Sequence, residues 1–191
     1  MVLKEAAGTM VPTLPLNEFA EHLRLGYGFA DDGAQDGLMD RALKAATAAI
    51  ENRLGLALVA RRFELQVSQW SRDRYLVFPT GPVTALVSMR FLMGAASIDV
   101  PVPGLEVDAQ TSRQRLSRTG GGALAPIPDG YLAEIVFDAG LGADWSAVPA
   151  DLKRAVIVLA AALFEAPGAA AGEVISATVE ALTAPWRPVR V

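Results

Sequence analysis

The apolar residues of this chain change period twice, and that change limits the folds open to it. From Leu38 to Leu54 they recur at helical spacing, through Ala42, Ala45, Ala46, Ala49 and Ile50. From about residue 59 to 138 the period is two. Phe63, Leu65 and Val67 alternate with polar neighbours in RRFELQVSQW, and YLAEIVFDAG (131–140) alternates again. From Pro149 to Glu165 the chain is apolar almost all round, as a helix central to a core would be. A chain that leaves helix for strand and then returns reads as α+β. The expected architecture is a helical core (helices near 16–25, 33–54 and 149–165), a β-rich insertion at about 59–138, and an extended C-terminal tail.

Turn and cap residues set the boundaries. Residues 1–14 read as a loose arm, with Gly8 and Pro12 in it and Pro15 following. Leu16, Phe19, Ala20 and Leu23 share one face of the first short helix. Asp31 or Asp32 can cap the second helix, Asp36 and Asp40 sit at its positive end, and Gly55 stops it. YLVF (75–78) and VTALVSMRFLM (83–93) read as strands separated by a turn at Pro79, Gly81 and Pro82. IDVPVPG (98–104) reads as an edge strand or loop, RQRLS (113–117) as a further strand, and GGGALAPIPDG (120–130) as a flexible loop. Residues 173–183 suit a weak helix, and PWRPVRV closes the chain as an extended segment. The expected domains are an arm (1–14), a main domain (15–166) containing the insertion, and a linker with a C-terminal tail (167–191).

Composition excludes several classes. No cysteine is present, so disulfides and cysteine zinc sites are ruled out. The net charge of −4, with fourteen arginines and three lysines, does not fit a strongly basic nucleic-acid binder. The longest apolar run, Ala155–Phe164, is ten residues, against the roughly 20 a bilayer requires. No membrane partner is expected. MVLKEAAGTMVP lacks a ten-residue apolar stretch, so no signal peptide is expected either.

The search for chemistry returns little. His22 is the single histidine, and Glu18 and Glu21 around it favour a surface position. GYGFAD (26–31) lacks the third glycine and the preceding strand of a dinucleotide loop, and TGGGALAP (119–126) lacks the Lys-Ser/Thr ending of a phosphate loop. Asp31, Asp32, Asp36 and Asp40 need no metal, because acids favour a helix start. No catalytic, cofactor or metal residue is assigned. Arg61, Arg62, Arg72, Arg74, Arg113, Arg115 and Arg118 make the middle of the chain basic. Arg113, Arg115 and Arg118 can meet a phosphate backbone or an acidic neighbour, or form a solvated face. Trp186, Arg187 and Arg190 in the tail are of the types that anchor interfaces. Docking on a partner and packing on the chain's own domain both remain open for Trp186.

Taken in order, FADDGAQDGLMDRALKAATAAIENRLG, RRFELQVSQW, VFPTGPVTALVSMRF, AEIVFDAGLGADWSAVPADLKRAVIVLAAALFE and PWRPVR resemble the head–tail connector, or adaptor, proteins of long-tailed phages. The version in alphaproteobacterial gene transfer agents is the most similar in flavour. The resemblance spans about residues 14 to 190 and lies in the order of blocks. It implies a non-enzymatic structural subunit without cofactors, forming a homo-oligomeric ring, commonly twelve-fold. Its partners would be the portal above, a stopper or tail protein below, and DNA passing without sequence specificity. It implies a place in the neck of a particle assembled in the bacterial cytoplasm, with Trp186, Arg187 and Arg190 toward the portal. Other connector rings, a stopper or a tail terminator, are the alternative. A small α+β hydrolase or ligand-binding domain using His22 with Asp31 or Asp32 is a further one.

Overall fold

The computed structural model describes residues 1–7, 13–24, 34–108, 113–166 and 168–187. The chain divides into two compact units. Met1–Val11 and Val59–Leu141 form a β unit, and Pro12–Leu58 and Gly142–Val191 form a helical unit.

The helical unit contains α1 (Leu16–His22), α2 (Ala34–Leu54), α3 (Ala150–Glu165) and α4 (Ala177–Thr183). Phe19 of α1 is fully buried and meets the ring of Phe164 on α3 edge-on, at 6.2 Å between centroids. On α2 the buried stripe is Met39, Ala42, Leu43, Ala46, Ile50 and Leu54. This differs from the alanine-rich stripe expected from the sequence: Leu38 and Ala45 are exposed. The larger Met39 and Leu43 side chains remove more apolar area from water, and so turn the helix to their side. α3 follows the expected bounds, with Pro149 as its N-cap and Leu152, Ala155, Val156, Ile157, Leu159 and Ala160 buried. The weak helix expected at 173–183 is α4, opened by the Ser176 hydroxyl, which accepts from the Val179 amide.

The β unit holds two antiparallel sheets. The larger has the order β1 (Val2–Glu5), β2 (Arg61–Val67), β8 (Leu132–Ala139), β4 (Val83–Met93) and β5 (Ala96–Val100). The smaller has the order β3 (Leu76–Val77), β7 (Arg115–Arg118) and β6 (Leu105–Asp108). Phe63, Leu65 and Val67 of β2 are buried, as the alternation predicts. Phe137 on β8 stacks on Phe63 at 5.6 Å and tilts against Phe78 at 4.7 Å.

Three local expectations change. Residues 2–5 are not a loose arm but an edge strand, in register with Gln66 to Phe63. Four residues with mixed polarity carry too little period to announce a strand, and pairing with β2 supplies the reason. The 120–130 loop is pinned: Leu124 is fully buried, and the Trp70 indole donates to the Ala125 carbonyl at 2.7 Å. The tail begins with a 3-10 turn, Ala184–Trp186, before the chain extends at Arg187.

Candidate assembly surfaces

His22 is half-buried, and its Nδ1 lies 3.2 Å from the Arg154 guanidinium. A ring nitrogen that faces a guanidinium is occupied as an acceptor and poorly placed to take a proton from a nucleophile. The Asp31 and Asp32 proposed as its partners lie outside the described residues, as does GYGFAD (26–31). Asp40 pairs with Lys44 at 2.7 Å, one turn along α2. Among the described residues no cluster of three or more His, Asp or Glu side chains could hold a metal ion.

The middle arginines do not form one surface. Arg61 donates to Glu5 at 2.6 Å and lies over the Phe63 ring at 4.9 Å. Arg62 grips Asp138 with two hydrogen bonds, at 2.8 and 3.0 Å, and the Asp138 carboxylate raises the pKa of its guanidinium. Both are committed within the sheet. Arg113 precedes β7 and is exposed. Arg115 lies over the Tyr75 ring at 4.9 Å. Leu116 between them and Arg118 is fully buried, so the strand period puts Arg115 on one face and Arg118 on the Leu116 side at the strand's end. The three arginines singled out in the sequence are thus neighbours in the chain but do not all share a face.

In the tail, the Trp186 indole donates to the Asp151 carboxylate of α3 at 2.6 Å, and the ring stays half-exposed. Arg187 is exposed and approaches Glu180 at 3.5 Å, the same carboxylate that Arg53 holds at 2.7 Å. Arg190 lies outside the described residues. Trp186 therefore packs on its own unit and still offers part of its ring to a neighbour.

Two surface features emerge only from the strand order, although 98–104, which overlaps β5, reads from the sequence as an edge strand or loop. The first is a polar ribbon across one face of the larger sheet. Lys4 pairs with Glu64 at 2.8 Å, Gln66 donates to both Glu64 and Glu134 at 3.0 Å, and Arg90 donates to Glu134 at 2.5 Å. Burial by itself would raise the Glu134 carboxyl. Hydrogen bonds to Gln66 and Glu64, and then the Arg90 guanidinium, more than offset it and hold the group below its ordinary pKa. Glu64 likewise raises the Lys4 ammonium. The alternation in RRFELQVSQW put these polar groups on one face, but only the strand order brings Lys4 and Arg90 to them. The second feature is the pair of sheet edges, β1 and β5, beyond which no strand pairs among the described residues. All four residues of β1 are exposed, and so are the first four of β5.

No protein-family model matches this chain, and no curated protein sequence does. Solved structures do. A chain in a structure described as the neck of an empty GTA particle computed with C6 symmetry is 40% identical, with TM-score 0.85. The match covers 100% of this chain and 97% of that one. A chain in the virion of a native gene transfer agent (GTA) particle is also 40% identical over the same shares, with TM-score 0.82. A third, in the neck of a native GTA particle computed with C12 symmetry, is 34% identical with TM-score 0.77, again over 100% and 97% of the two chains. Identity at this level over the full length of both partners is common descent, not fold convergence. The chain belongs to the family of structural proteins that build the neck of gene transfer agent particles.

Proposed function

We propose that the protein is the head–tail adaptor of a gene transfer agent or phage particle. In this role it forms a ring between the portal and the stopper or tail, and extends the DNA channel. The observation that carries the reading is the end-to-end match, at 40% identity and TM-score 0.85, to a chain of a particle neck. The C6 and C12 symmetries of the related necks support a ring, with twelve copies as the stoichiometry that accommodates both. Rings of identical subunits close through one heterologous contact repeated around the axis. The net charge of −4 suits a channel that lets DNA pass without gripping it.

In this role the chain works by assembly. Residues 15–166, with the insertion at 59–138, are the adaptor domain, and 167–191 are a linker and docking tail. Trp186, Arg187 and Arg190 engage the portal. Arg113, Arg115 and Arg118 meet the channel or an adjacent copy, which their division between faces allows. Assembly takes place in the cytoplasm of the producing cell, on a filled head. The test is electron microscopy of particles produced without the protein. Filled heads lacking tails are expected, and complete tailed particles would overturn the reading. Attachment to the stopper but not to the portal in a pull-down would favour a different connector ring.

A further inference from the structure

Eight large apolar side chains are exposed among the described residues: Met1, Val2, Leu3, Leu38, Val87, Met93, Ile98 and Leu132. Five of them crowd the two edges of the larger sheet. Met1, Val2 and Leu3 lie on or beside β1, and Met93 and Ile98 lie on the β4–β5 hairpin, where Met93 faces Ala96 and Ile98 faces Phe91. Val2 is 60% and Ile98 46% exposed. Folded chains usually guard a sheet edge with a free lysine, a proline or a covering element. Here β1 has one lysine, and Lys4 is half-exposed and paired with Glu64 on the neighbouring strand. Glu5 is likewise held by Arg61. β5 (ASIDV) has neither lysine nor proline, and its one charge is Asp99, opposite Arg90. Among the described residues, both edges thus present backbone that no strand pairs, beside exposed apolar side chains.

The edges also match each other. They are four and five residues long. They bound the same sheet on opposite sides, four inter-strand steps or roughly 19 Å apart. Two different complementary surfaces on opposite sides of one subunit are what a head-to-tail ring contact requires. An isologous dimer would instead need each edge to pair with itself.

We infer that the partner of these edges is a second copy of the chain: β5 of one subunit lies against β1 of the next, so that neighbouring five-stranded sheets join edge to edge around the ring. Main-chain hydrogen bonds hold such a junction, and the side chains beside it set its register. In this arrangement Met1, Val2 and Leu3 leave water against Met93 and Ile98. The inference rests on the ring reading given above and names its lateral contact.

The absence of cysteine in the native chain allows a direct test. Particles are produced with the double variant Val2→Cys/Ile98→Cys and treated with a short bismaleimide. Denaturing gels of the double variant are expected to show a ladder of covalent oligomers extending past the dimer, while either single variant shows none. Rings visible by electron microscopy without a ladder overturn the edge contact alone. Dimers from a single variant overturn it in favour of an isologous contact. Particles in which the protein forms no ring overturn the ring reading and this contact together. A second variant, Met93→Lys/Ile98→Lys, places charges on the β4–β5 hairpin, at two side chains already exposed to water. Loss of rings with an unchanged circular dichroism spectrum is expected, and rings that persist overturn the contact.

Discussion

Glu134 is an acid buried to 3% exposure in a strand that otherwise buries Ala133, Ile135, Phe137 and Ala139. Its carboxylate is kept by Gln66 and Arg90, with Arg90 half-exposed and therefore partly screened. Because its folded pKa is lowered from 4.5, its contribution is complete above that value and disappears as pH falls through the lower folded one. Glu134→Gln should cost about 1–3 kcal/mol near neutrality, the range for losing a charged hydrogen bond. The gap between the urea midpoints of wild type and variant should shrink as pH is lowered below 4.5. A gap constant with pH would mean that the charge contributes nothing. The alternation of the sequence left Glu134 looking like an ordinary outward-facing acid. What buries it is the strand order, which no local pattern encodes. Asp144 differs in depending on neighbours alone: it caps the Trp145–Ala147 turn, and hydrogen bonds from the Ser146 hydroxyl and amide lower its pKa.

Elements with a long, clean period were readable in advance. α3 and β4 occupy almost the residues expected, because sixteen and eleven residues sample their periods several times. β1 and β6 have four residues each and exist through pairing, while the two-residue β3 lies inside the YLVF (75–78) read as a strand. The turn expected at Pro79, Gly81 and Pro82 contains a cis Gly81–Pro82 bond. Beside it the Gln114 amide bonds both main-chain groups of Val83. The Gln114–Val83 link joins residues distant in sequence, and composition gives no sign of it. In the tail, α4 is only seven residues long and depends on the α3 contact through Trp186 and Asp151. Trp186→Phe keeps an aromatic ring, a smaller one, and removes the N–H donor. It should lower stability by about 1 kcal/mol and speed amide exchange across 177–187 without affecting the β unit. Exchange unchanged in α4 would show that the indole bond does not hold it.

Over the whole molecule, membership of the neck family was legible from the order of blocks. The surfaces were not. Trp186 stood out by type, but its bond to Asp151 links positions 35 residues apart. The arginines stood out by number, but Arg61 and Arg62 are used internally while Arg113 and Arg118 are exposed. In the docking on the portal proposed above, Trp186 would have to gain more from the partner than it keeps with α3. Deleting 184–191 should leave the two sheets and α3 folded, by circular dichroism and melting. Portal capture in a pull-down should fall by about tenfold or more, the size of one interface hot spot. Undiminished capture would assign the anchor elsewhere.

Gly140 shows why the insertion begins and ends where it does. A Cβ there would collide with the Ala60 backbone, and the Gly140 amide donates to the Pro82 carbonyl at 2.9 Å. The strands that enter and leave the β unit are thus zipped together at their root, with Arg61 opposite Ala139. A segment whose two ends meet is a cassette. Its interior can lengthen or shorten between those two ends without moving them, so long as a glycine stays at the seam.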